Sequence, residues 1–270
     1  MVSTQLGSAI AKSLFNQVGP LGMVSLRVGL AAILLILWQR PRWRGHTALD
    51  YRLLVAFGLS LAVMNGCFYA AIARIPIGVA VALEFSGPLL VSLLYSRRWL
   101  DGLWVGLAAI GVVLLSPLQG ASLDSLGVVL ALLGGVAWGF YIILSAWVGR
   151  VFQGGEGLAL AMAVGGLLLL PLGLATTGPT LFSPSLLGLG LAVALLASAL
   201  PYSLEMVALR RMPVHGFGVL LSLEPAIASV ISWLGLGETL TLQMMVAIGL
   251  IMMAAAGVSL GQPQVVSRQE

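Results

Sequence analysis

In a chain of 270 residues, 60% are hydrophobic, only 8% are charged, and the mean hydropathy is +1.07. No water-soluble packing hides that much apolar surface, so the chain reads as an integral membrane protein. The net charge of +4 and pI near 9.7 come from arginines scattered over several polar connections; without the clustered stripe that nucleic acid requires, they point to lipid headgroups and exclude a nucleic-acid partner.

Apolar runs long enough to cross a ~30 Å hydrocarbon core follow one another with short gaps. They predict ten helical spans: 2–15, 20–38, 52–72, 76–96, 101–118, 125–147, 157–176, 185–208, 214–236 and 240–260. The runs are too long for tilted barrel strands and lack the alternation of a β-barrel, which leaves an all-α bundle. The longest polar connection, QRPRWRGHTALDY at 39–51, is too short to fold alone, and residues 261–270 read as a flexible tail. With the N-terminus inside, the inner loops and tail hold ten arginines (40, 42, 44, 52, 97, 98, 150, 210, 211 and 268), while the outer loops hold only Arg74. That asymmetry puts both termini in the cytoplasm.

The segment RIPIGVAVALEFSGP at 74–88 returns as RMPVHGFGVLLSLEP at 211–225, with Arg-x-Pro and a later proline at the same separation in both copies, an offset of 137 residues. Two five-span units are expected, 1–118 and 124–260. An odd number of crossings inverts the second copy relative to the first, as in many secondary transporters whose sites lie at the repeat interface near the midplane. At this offset the first helix is short of its counterpart by roughly twelve residues, or about 18 Å at ~1.5 Å per residue: either the start lies upstream and the chain is truncated, which is the expectation, or the first helix is half-length.

Three acids fall inside the spans: Glu205 in LLASALPYSLEMVAL, Glu84 and Glu224. An acidic residue at mid-membrane is about 3 kcal/mol uphill on insertion scales, so such a side chain marks a polar cavity, a proton path or a hydrogen bond that pins helices. Arg27 sits seven residues into the second span, where it either pairs with a carboxylate or snorkels to an interface. Lys12 lies near the outer end of the first span and reads as an interfacial anchor.

Tyr202 and Pro201 stand three and four residues before Glu205, which lets a freed carbonyl, a phenol and a carboxylate converge. Pro88 and Pro225 stand beside Glu84 and Glu224 as candidate helix breaks or simple kinks. Asn65, Tyr69, Trp138 and Tyr141 are candidate cavity-lining or packing residues. Gly102 with Gly106 and Gly135 with Gly139 form small-residue faces suited either to packing within one chain or to a homodimer.

The stretches VALEFSGPL at 81–89, ALPYSLEMVAL at 199–209, LLSLEPAIASVISWLGLGETLT at 220–241, and the early GSAIAKSLF and SLRVGLA resemble the EamA-type family of the drug/metabolite transporter superfamily. The likeness runs along nearly the whole chain in order. It implies a ten-helix, two-repeat bundle in the bacterial inner membrane that moves small metabolites outward by proton antiport, with small amino acids such as threonine and homoserine as substrates.

The polar inventory agrees in kind. An amino acid carries one ammonium and one carboxylate, and the spans offer acids near basic groups without the continuous file of carboxylates or carbonyls an ion channel needs. A broader drug or metabolite exporter is the alternative. An intramembrane enzyme is third, because no hydrolase or metalloprotease motif occurs. With Cys67 the lone cysteine and only His46 and His215 beside it, neither metal nor cofactor is expected. Mechanistically, the two repeats would rock about a central cavity while Glu205 or Glu84 exchanges a proton for the substrate ammonium.

Overall fold

The computed structural model describes residues 1–42, 44–95, 99–115, 123–153, 155–201, 204 and 221–261. Every regular element among them is helical. In chain order these are α1 (Val2–Ser13), α2 (Phe15–Gln39), α3 (Ala48–Ile72), α4 (Ile77–Glu84), α5 (Ser86–Tyr95), α6 (Trp99–Leu114), α7 (Ser125–Val151), α8 (Glu156–Thr177), α9 (Pro184–Ala194), α10 (Glu224–Leu236) and α11 (Leu242–Gly261). A 3₁₀ turn, Gly178–Phe182, leads into α9, and a π turn, Leu195–Ala199, follows it.

Among the described residues, five helices are long and apolar enough to cross a membrane: Phe15–Gln39, Ala48–Ile72, Ser125–Val151, Glu156–Phe182 and Leu242–Leu260. The other apolar helices are shorter, and local chemistry explains two of their interruptions. Pro88 has no N–H to return to the Glu84 carbonyl four residues earlier, and the helix breaks between α4 and α5 at Phe85. Pro225 stands in the first turn of α10, where a missing N–H costs nothing, so this proline opens a helix. In α2 the backbone turns at Gly19 (φ 69°, ψ 163°), a left-handed position that glycine takes without strain, and helix resumes at Pro20.

The surface is apolar and the interior holds polar groups, the reverse of a soluble protein. Leu37, Leu94, Leu167, Leu234 and Leu242 are all at least two-thirds exposed, whereas Arg27, Asn65 and Glu84 are buried. Such a surface suits hydrocarbon, and the chain is a multi-pass membrane protein by length and composition of its helices.

Because lipid provides no hydrophobic drive between helices, small residues and hydrogen bonds make the contacts. The α2–α8 crossing brings Gly166 against Gly29 and Gly173 against Ser25, and the Ser25 hydroxyl donates to the Leu169 carbonyl at 2.7 Å. On the α3–α7 crossing, Ser60 donates to the Ala137 carbonyl at 2.7 Å. Beyond these, α3 packs on α8 and α9 on α2; α4 and α5 pack on α7, and α10 on α1; the π turn packs on α1; α4 meets α10 and α6 meets α11.

Candidate functional site

At the π turn after α9, Pro201 has no N–H for the Ala197 carbonyl four residues earlier, and an outside donor takes it. The donor is Arg27 of α2, whose Nη2 reaches Ala197 O at 3.0 Å while its Nε donates to Ser198 Oγ at 3.0 Å. The guanidinium also lies 5.3 Å from the centre of the Tyr69 ring on α3, within cation–π range. Arg27 therefore does not snorkel; it is buried and fixed by neutral groups. Among the described residues, two of its five N–H donors are used in this way, which leaves the rest of the fork for a carboxylate.

Glu84 ends α4 at the break above Pro88, and it too is buried. Its backbone lies against Gly135 of α7, where an added Cβ would come 2.7 Å from the Glu84 carbonyl oxygen. Its carboxylate lies over Gly134, where a methyl group would collide with Oε1. The two glycines make a cradle that seats a carboxyl deep between helices. Glu84 lies within electrostatic reach of both Arg27 and Glu224, and α4 packs on α10, the helix that Glu224 opens.

Glu224, half-buried at the start of α10, accepts a hydrogen bond from Gln5 Nε2 of α1 at 3.0 Å. Among the described residues, four buried side-chain atoms have no hydrogen-bond partner: Gln5 Oε1, Ser8 Oγ, Tyr69 Oη and Glu84 Oε1. A buried polar group without a partner costs about 1–3 kcal/mol, so each of these atoms would be stabilised by a polar guest. They come from α1, α3 and α4, next to Arg27 on α2 and Glu224 on α10.

Toward the C-terminal end of α1 the same helices are tied by charge. Lys12 pairs with Glu238, in the connection between α10 and α11, and donates to the Ile75 carbonyl at 2.9 Å. Glu238 also accepts from the Ile77 N–H at the start of α4, at 3.0 Å. Lys12 thus serves a partly buried latch between three elements instead of anchoring at a headgroup.

Of the residues expected from sequence, Glu84, Glu224, Arg27 and Tyr69 come together. Asn65 is buried but donates to the Leu61 carbonyl of its own helix at 2.8 Å. Trp138 packs edge-on against Phe85 at 5.1 Å, and Tyr141 against Phe57 at 5.1 Å, beside the cluster. Glu205 and Tyr202 lie outside the described residues. Gly135 and Gly139 are spent on packing against Glu84, Gly87 and Val91, while Gly102 and Gly106 have nothing within 4 Å. Sequence reasoning missed Gln5, Ser198 and Glu238. Gln5 and Ser8 were detectable as a polar pair spaced three apart in an apolar helix.

A bundle of apolar helices around a buried, partly unsatisfied polar cluster defines a membrane transporter, and comparison with known proteins agrees. The EamA-like transporter family model matches residues 125–260, and the chain belongs to that family. It is 44% identical over 263 residues to the threonine/homoserine exporter RhtA of Escherichia coli (strain K12), covering 96% of this chain and 88% of that protein. The same identity and coverage hold for the exporter of that name from Salmonella typhimurium (strain SL1344). One solved crystal structure superposes with a TM-score of 0.61 at 18% identity, covering 96% of this chain and 97% of its own, a likeness of fold alone.

Proposed function

We propose that this protein exports small hydroxylated amino acids, threonine and homoserine among them, across the bacterial inner membrane by alternating access coupled to proton entry. The observation that carries the reading is the buried cluster of Arg27, Glu84, Glu224, Gln5, Ser8 and Tyr69, with four polar atoms awaiting partners. A zwitterion supplies the complement: its carboxylate meets the free fork of Arg27, and its ammonium meets Glu84. The relatives named as threonine/homoserine exporters support this substrate class.

The proposed architecture is ten spans in two inverted repeats, 1–118 and 124–260, with both termini cytoplasmic. Helix packing supports it. Counting α4 and α5 as one span, exchanging the first five spans for the last five turns several of the main contacts into others: α3–α7 into α9–α1, α3–α8 into α9–α2, and α4–α7 into α10–α1. The pairs α2–α8, α4–α10 and α6–α11 map onto themselves. The Lys12–Glu238 latch then lies on the outer side and closes the cluster from that face. Glu84, or Glu205 in the undescribed part of the eighth span, carries the exchanged proton.

The test is efflux of a radiolabelled amino-acid panel from proteoliposomes with and without a pH gradient. Gradient-dependent release of threonine and homoserine is expected; release of neither overturns the reading.

A further inference from the structure

The unpaired atoms differ in chemical kind, and the difference predicts what part of a substrate each can read. Gln5 is locked in orientation: its Nε2 donates to Glu224 Oε1 at 3.0 Å, so its Oε1 can only accept, and nothing supplies it with a donor. Ser8, one turn further along α1, holds a hydroxyl that can donate or accept, and it too has no partner. Both residues are almost wholly buried, at 3% and 1% exposure. Positions three apart in a helix share a face with roughly 5–6 Å between Cβ atoms. The pair therefore presents an acceptor and a hydroxyl side by side on one face of α1.

A charged ammonium is better served by the Glu84 carboxyl, and a carboxylate by Arg27. What fits an acceptor beside a hydroxyl is a neutral group that both donates and accepts. Resting on the amino-acid export proposed above, we infer that Gln5 and Ser8 read the side-chain hydroxyl of the substrate and set the preference for hydroxylated amino acids over their deoxy analogues. The hydroxyl donates to Gln5 Oε1 and accepts from Ser8 Oγ. Threonine and homoserine carry their hydroxyls on adjacent carbons, within reach of one pair, and removing either hydroxyl yields the same compound, 2-aminobutyrate. A site that must leave its own buried polar atoms unpaired rejects such an analogue far more strongly than an apolar pocket rejects a missing methylene.

The experiment compares efflux of threonine, homoserine and 2-aminobutyrate from proteoliposomes containing the whole chain, then repeats it with Ser8→Ala and Gln5→Met. The wild-type protein is expected to favour each hydroxylated substrate over 2-aminobutyrate by about tenfold or more, and each variant to lower that ratio by about tenfold. A merely structural role would slow all three substrates together and leave the ratio intact, and that result overturns the inference. Equal wild-type efflux of all three also overturns it while leaving amino-acid export standing, whereas efflux of none overturns export itself. If one variant does not reach the membrane, the ratio of the other decides.

Discussion

Glu84 owes its position to two residues that have no side chain. An alanine at Gly134 meets only the far end of the Glu84 side chain, which can swing away, whereas an alanine at Gly87 meets the Gly135 backbone, which cannot. Gly134→Ala is therefore expected to insert and fold normally while efflux falls at least tenfold, and Gly87→Ala to lose about 1–3 kcal/mol of stability through overpacking. Detergent melting curves beside efflux rates separate the two, and equal melting losses would show that Gly134 serves packing alone. Charge is the second function of this position. Glu84→Gln keeps the shape and is expected to abolish stimulation by a pH gradient if Glu84 carries the proton; Glu205→Gln should do so if that acid carries it. Undiminished gradient dependence in both variants removes proton exchange at either acid.

Among the elements, α1 ties together parts of both halves of the chain. It hydrogen-bonds Glu224 through Gln5, packs on the π turn, and locks to the α3–α4 and α10–α11 connections through Lys12. If the latch closes the outer side, then Lys12→Met, which keeps the stem and removes the charge, should raise the share of molecules open to that side. Cys67, the lone cysteine, is half-buried on α3, the helix that carries Tyr69, and serves as the probe of access. Its reaction with an impermeant maleimide added outside should speed up in Lys12→Met, by about tenfold for each ~1.4 kcal/mol of latch energy lost. An unchanged labelling rate would mean that the latch does not gate this face.

At the scale of the whole molecule, orientation is the open geometry. In a Cys67→Ser background, cysteines at Arg44 and Gln153 should react only from the cytoplasmic side and one at Thr180 only from outside; all three positions are exposed. Labelling of residues 44 and 180 from one side would exclude the proposed span count. The sequence made the helical, membrane-spanning class legible because hydropathy needs only a window of about 20 residues. It also marked Glu84, Glu224 and Arg27, since charge in an apolar run stands out without a structure. What it hid were the pairings. Nothing local says that Pro201 leaves a carbonyl for Arg27 over 170 residues away, that Lys12 turns inward to Glu238, or that Gln5 joins Glu224; these depend on which helices touch.

Among the described residues, the groups that hydrogen-bond Arg27 are a hydroxyl and a carbonyl, neither of which offsets its positive charge. If the exchange proposed above is one zwitterion out for one proton in, the only net charge that crosses is the proton's. Each turnover is then an electric current, and the membrane voltage becomes fuel equal in kind to the pH difference, worth about 2.3 kcal/mol per elementary charge at 100 mV. Vesicles clamped with potassium and valinomycin, at equal pH on both sides, should export faster as their interior is made more negative. Export indifferent to voltage would mean that a compensating charge travels as well.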